Sequence, residues 1–130
     1  MTTDFMNNIK NIILITAMSV LSWGSVSLEI QNVDTDAGTL DIYMTNTEEV
    51  GGFQFELTGI IITNASGGAA EDAGFMISYS ATTILGFSLT GTTITPGEGL
   101  LTQVTFSDFE EADICFGTNQ TNNVISDPAG

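Results

Sequence analysis

From Val26 onward, large apolar side chains return at every second position, and that rhythm constrains the fold more than any other feature. In "VGGFQFELTGIIIT" (50–63), Phe53, Phe55 and Leu57 alternate with Gln54, Glu56 and Thr58 before three isoleucines meet. Successive side chains of a strand point to opposite faces, so a period of two marks a strand with one buried face. The same alternation runs through Val26, Leu28 and Ile30, through Leu40, Ile42 and Met44, through Phe75, Ile77 and Tyr79, and through Leu85, Phe87 and Leu89. It returns in Leu100, Val104 and Phe106, then in Ile114 and Phe116, and "NNVISD" offers a short last strand at Val124–Ser126. Between these runs stand "DTDAG", "NTEEVGG", "NASGGAAEDAG", "TPGEG" and "TNQTNN", rich in residues that tolerate or preset turns. "SGGAAEDAG" has room for one helical turn, and its glycines oppose more. The spacing predicts an all-β fold, a two-sheet sandwich of eight to nine antiparallel strands, with a closed barrel as its competitor. Phe53 and Phe55 belong to the core of either, and "GIIIT" suits a doubly covered strand or a corner between sheets.

The first 24 residues are of another kind. A polar start with Lys10 leads into an apolar run from Ile12 to Leu21, then to the small residues Ser22, Gly24 and Ser25. That is the layout of a secretory signal peptide, cleaved after Gly24, and the run is about half of what a bilayer span needs. The expected organisation is therefore a leader, 1–24, and one β-sandwich domain, 25–130, on the cell exterior.

Charge narrows the function. Sixteen carboxylates face one base, Lys10, with no Arg and no His, for a formal net charge of −15. Such a surface repels a phosphate backbone and anionic lipid, so nucleic acid and anionic membranes are expected not to be partners. Without His, and without Lys after the leader, neither a Ser–His–Asp triad nor a Schiff-base lysine can be assembled, and zinc loses its usual ligands. The adjacent pairs Glu48–Glu49 and Glu110–Glu111 fall in or near turns, where carboxylates stay solvated. The chain is expected not to be an enzyme.

Two binding readings remain. Asp34, Asp36 and Asp41 surround the Gly38 turn and offer oxygens to calcium, although an Asx turn accounts for the same residues and the EF-hand pattern is absent. Tyr43 falls on the outward face of its strand and Phe109 breaks parity with Phe106, so these two rings are the platform available to a sugar; ordinary cross-strand packing is the competing reading. Cys115, the lone cysteine, lies in the strand-like "ADICFG" and reads as a structural thiol, or as one whose partner lies outside the chain.

"GTLDIYMTNTEEVGGFQFELTGIIITNAS" and "ISYSATTILGFSLTGTTITPGEGLLTQVTF" together resemble a cohesin domain in the order and spacing of their elements, over roughly Val26 to Phe116. The resemblance implies a jelly-roll sandwich of about nine strands, close in architecture to one class of carbohydrate-binding modules. It also implies a secreted, non-catalytic module that binds a dockerin-type protein partner through one sheet face. No partner-contacting residue carries over to a position of this chain. A carbohydrate-binding module serving polysaccharide breakdown is the alternative. A third reading starts from the C-terminus, where a strand of such sandwiches would follow "NNVISDPAG" and pair with the first. The sequence is then expected to be a fragment truncated before that strand, or to leave an open edge, or to take the strand from another chain and so assemble by strand exchange.

Overall fold

The computed structural model describes residues 20–23, 26–109, 113–118 and 123–126. Ten strands lie among them: β1 (Val20–Trp23), β2 (Val26–Asp34), β3 (Thr39–Asn46), β4 (Gly52–Thr58), β5 (Ile61–Ser66), β6 (Met76–Tyr79), β7 (Thr83–Phe87), β8 (Gly97–Ser107), β9 (Cys115–Phe116) and β10 (Val124–Ser126). One five-residue helix, α1 (Gly68–Asp72), joins β5 to β6. The first sheet has the order β1-β2-β3-β8-β5 and the second the order β10-β4-β7-β6, with β9 also on β4; every pairing is antiparallel. This is the all-β sandwich that the alternation predicts.

Both sheets turn most of their large apolar positions inward. Leu28, Leu40, Ile42 and Val104 from the first sheet meet Phe53, Phe55, Leu57 and Ile84 from the second, all buried. Phe55 is the largest fully enclosed side chain; its ring lies 5.9 Å from Phe53 in a stacked pair and 5.8 Å from Phe116 edge-on. Such aromatic pairs add to the transfer energy of the buried rings. The predicted inner face of Phe53, Phe55 and Leu57 is therefore the centre of the molecule. "GIIIT" is the corner: β4 belongs to the second sheet and β5 to the first, and Gly59–Ile60 carries the chain across. Gly59 sits at φ +90, and a Cβ there would press on the Asp113 carbonyl oxygen at 2.5 Å.

Two expectations on faces are corrected. Leu100 does not share the inner face with Val104 and Phe106, because a register shift between Ile42 and Tyr43 inserts one extra residue on β8. Leu101 is buried instead, and Leu100 stands half-buried opposite Tyr43 on the outer side. On β7 the expected period is real and the face is reversed: Ile84 and Gly86 look inward, Leu85 and Phe87 outward. Gly86 is what permits this, since any Cβ at that position would overlap the Phe53 ring lying across it.

The expected leader, residues 1–24, ends in β1, which pairs along β2 from Val20 opposite Glu29 to Trp23 opposite Val26; residues 1–19 and 24 lie outside the described residues. At the other end of the chain, β9 and β10 lie one after the other along a single edge of β4. Asn123, buried between them, closes the gap in the ladder. Its Oδ1 accepts from the Glu56 N–H at 3.0 Å, its Nδ2 donates to the Gly117 carbonyl at 3.0 Å, and the Gly117 N–H donates to the Glu56 carbonyl at 2.8 Å. The side-chain amide stands in for a peptide group where the strand is interrupted, leaving those buried groups paired. Among the described residues, no helix is long and apolar enough to cross a membrane.

Candidate functional site

The outward turn of Leu85 and Phe87 on β7 gives the second sheet an outer face of mixed character, with apolar side chains among polar ones. Across the outside of the second sheet, Val124, Gln54, Leu85 and Ser78 stand in one register row, and Ser126, Gly52, Phe87 and Met76 in the next. Leu85 is 37% exposed, Val124 45% and Met76 49%, values unusual for side chains of this size on a strand. Gly52 has no side chain to cover its neighbours, so the row through Phe87 lies low. Toward the β6–β7 hairpin the face sinks into an open hollow of about 220 Å³ lined by Gln54, Ser78, Tyr79, Ser80, Thr83 and Leu85. Tyr79, at the sheet margin, is 48% exposed. The hairpin beside it is held by the Ser80 Oγ, which accepts from the N–H groups of Thr82 at 3.3 Å and Thr83 at 3.2 Å, and by the Ser80 N–H, which donates to the Thr83 carbonyl at 2.8 Å. These bonds fix the hollow's rim. Glu56 is the only carboxylate on the strands of this sheet.

The sequence-derived candidates lie elsewhere. Asp34 occupies its own turn: its Oδ1 accepts from the N–H groups of Asp36 at 3.0 Å and Ala37 at 2.9 Å, while the Gly38 N–H donates to the Asp34 carbonyl at 2.8 Å. Asp41 is on the outer face of β3 and accepts from the side-chain amides of Asn32 at 2.8 Å and Gln103 at 3.3 Å. Among the described residues no three His, Cys, Asp or Glu side chains gather as a metal site, so Asp34, Asp36 and Asp41 are not brought together as calcium ligands. The Asx-turn reading describes Asp34. Tyr43 does face outward, half-buried between Glu29 and Leu100 in its row. Phe109 is partly buried against the core, so its ring is not offered beside Tyr43. Glu110 and Glu111 lie outside the described residues.

A second hollow, about 210 Å³, opens at one end of the sandwich between Asn46, Ile94 and the 95–99 segment. The buried Asn46 amide donates there to the carbonyls of Glu48 at 2.8 Å and Thr95 at 3.1 Å, which ties two loops together. That is a structural role. Cys115 is a free, half-buried thiol at the end of the β4–β9 ladder; burial, and then the neighbouring Asp113 charge, push it above the ordinary thiol range. It is a poor nucleophile at neutral pH.

Alternation alone does not reveal the outer face of β7, because it shows that two faces differ and not which one is inside. The signal was present in Gly86: a glycine inside a strand marks a place where another group approaches closely. In comparisons with models of protein families, with curated proteins and with solved structures, the chain matches none.

Proposed function

We propose that this protein is a secreted, non-catalytic binding and assembly module that engages a protein partner through the outer face of its second sheet. One observation carries the reading: a chain with net charge −15 keeps Met76, Leu85, Phe87 and Val124 together on an exposed face whose strands hold a single carboxylate. Solvated sheet faces alternate to polar residues, and an apolar one is the usual mark of a protein contact. The resemblance to cohesins makes a dockerin-type module the partner class to try first. Tyr79 and the hydroxyls of Ser78, Ser80 and Thr83 favour a second reading, in which a sugar stacks on the ring within the hollow and bonds to its rim.

Titration of the secreted protein against dockerin-type modules and against soluble polysaccharides separates the two. Protein binding removed by Leu85→Glu, with polysaccharides inert, supports the first reading. Polysaccharide binding that Tyr79→Ala abolishes and Leu85→Ala spares transfers the function to the second.

A further inference from the structure

We infer that the hollow at the end of the sandwich, beside Asn46 and Ile94, takes a primary ammonium group carried on an aliphatic stem. Three observations lead there. First, two missing side chains make the hollow. Asn46 and Met44 are buried on the inner face of β3, and their partners across the ladder on β8 are Gly97 and Gly99. A Cβ at either glycine would meet nothing within 4 Å, so this end of the inner row stands open. The space is about 210 Å³, several times the roughly 30 Å³ that one water occupies. Secondly, Asn46 leaves one group unused. Its Nδ2 serves the carbonyls of Glu48 and Thr95, which fixes the orientation of the amide and makes its remaining group, Oδ1, an acceptor. Asn46 is 4% exposed and lines the hollow, and among the described residues no donor reaches Oδ1. A buried acceptor in that position gains from any donor brought to it. Thirdly, the charge selects the donor. The chain has a net charge of −15 and no cationic side chain after Lys10. Glu98, exposed between the two glycines, is the only charged residue that lines the hollow.

The walls narrow the ligand further. Met44, Ile94, Pro96 and Ala69 are apolar and suit a run of methylene groups better than a hydrated ion. Calcium takes about six to eight oxygens, more than Asn46 and Glu98 supply. A carboxylate would be repelled by Glu98 and would bring Oδ1 no donor. A neutral hydroxyl can donate to Oδ1 but gains nothing from Glu98 or from the field of the chain. An alkylammonium meets all three demands, with an N–H for Oδ1, a charge beside Glu98 and a stem for the walls. The two bonds of Nδ2 stay as they are, so the loops need not move. This hollow shares no residue with the one beneath Tyr79 and Leu85, so the inference does not rest on the proposed function.

The test titrates the full, isotope-labelled chain by NMR with n-butylammonium, 1-butanol, butyrate and Nα-acetyl-lysine methylamide. n-Butylammonium is expected to bind with a Kd of about 1–10 mM, about ten-fold tighter than 1-butanol, with butyrate inert. The shifts should fall on the Asn46 side-chain amide and on the N–H groups of Gly97 and Gly99. Ala69→Leu adds bulk to the hollow, spares every bond of Asn46 and should weaken binding about ten-fold. Glu98→Gln, at an exposed position, should weaken the ammonium about three-fold and leave 1-butanol unchanged. Binding of the lysine compound as well assigns the site to a lysine side chain of another protein, and binding of n-butylammonium alone assigns it to a free amine. No binding of either amine overturns the inference. So do 1-butanol or butyrate matching n-butylammonium, shifts that miss Asn46, or binding that Ala69→Leu leaves untouched. Where Ala69→Leu disturbs the fold, Glu98→Gln decides: an unchanged preference for ammonium over 1-butanol then overturns it. Leu85→Glu should leave amine binding as it is, and its effect on dockerin-type partners bears on the proposed function alone.

Discussion

The two outer faces of the sandwich obey the same alternation and reach opposite results. On the strands of the first sheet stand four carboxylates, Glu29, Asp34, Asp41 and Glu98, and side-chain amides answer two of them: Gln31 donates to Glu29 at 2.8 Å, and Asn32 and Gln103 donate to Asp41. On the second sheet Glu56 is alone among Leu85, Phe87, Met76 and Val124. The first face is therefore the more polar one, and the donors that reach Glu29 and Asp41 are neutral because the chain after Lys10 has no cationic ones. The second has apolar area that gains from being covered, at about 25 cal/mol per Å² removed from water. A chain under strong negative charge has every reason to keep such a face small and polar unless it is used.

The sharpest separation comes from beneath the faces. Both rest on the same core, so Phe55→Ala should lower stability by about 3–5 kcal/mol and loosen the two sheets together, with denaturant unfolding remaining a single transition. A variant in which one sheet's signals melt well before the other's would show that the faces belong to separately stable layers. Gly86→Ala acts on the second face alone. Its methyl group meets the Phe53 ring, and the resulting strain should cost about 1–3 kcal/mol while Phe53 is displaced toward Phe75, 6.2 Å away. A neutral Gly86→Ala would sink the account of why β7 turns Leu85 and Phe87 outward.

Next in size is the clasp at the margin of the second sheet. Asn123→Ala leaves the Glu56 N–H and the Gly117 carbonyl without their side-chain partner, at a cost of about 1–3 kcal/mol. Asn123→Asp keeps an acceptor for the Glu56 N–H but buries a carboxylate and sets its second oxygen against the Gly117 carbonyl, so it should cost at least as much as the alanine change. Hydrogen exchange at Glu56 reads the loss directly, accelerated in the alanine variant. Leu85→Ser on one face and Asp41→Asn on the other should each change stability by less than about 1 kcal/mol, since neither is buried and exposed polar contacts contribute little. Their effects on partner binding should differ: loss for Leu85, none for Asp41.

How far the sequence foretold these faces depends on what each position demands. Period two is a direct imprint of the pleat, so the strands, the Phe53–Phe55 centre and the turns were all legible. Parity was not always so. Leu100 was assigned inward because an inserted residue on β8 leaves no mark in a strand of ordinary apolar text, and only the pairing with Ile42 and Tyr43 reveals it. The outward turn of Leu85 and Phe87 is not legible either, because alternation states that two faces differ and never which one is inside. Asp34, Asp36 and Asp41 looked like ligands from composition, whereas the backbone N–H groups of the turn and the amides of adjacent strands were the donors that claimed Asp34 and Asp41. The clasp of Asn123 onto Glu56, 67 positions away, could not be read from spacing at all.

The smallest effect concerns Cys115, at the second sheet's margin on the side away from the hollow's rim. Desolvation first, and Asp113 second, raise its pKa above the free-thiol value of 9.0 in the folded chain. The sign follows from the neutral form being favoured on folding: the thiol's contribution is present in full below the unfolded pKa and is lost as pH rises through the higher folded value. The thiol is only partly covered, so this contribution is slight, and Cys115→Ser should leave the unfolding midpoint unchanged at neutral pH. The chemistry is more sensitive than the stability. Iodoacetamide should label native Cys115 more slowly than the urea-unfolded chain at the same pH, and the pH profile of the native rate should have its midpoint above that of the unfolded one. Asp113→Asn should move the native midpoint down without bringing it to the unfolded value, because burial remains. A native midpoint at or below the unfolded one would mean that burial does not hold the thiol neutral and that the β4–β9 end of the second sheet is open to water.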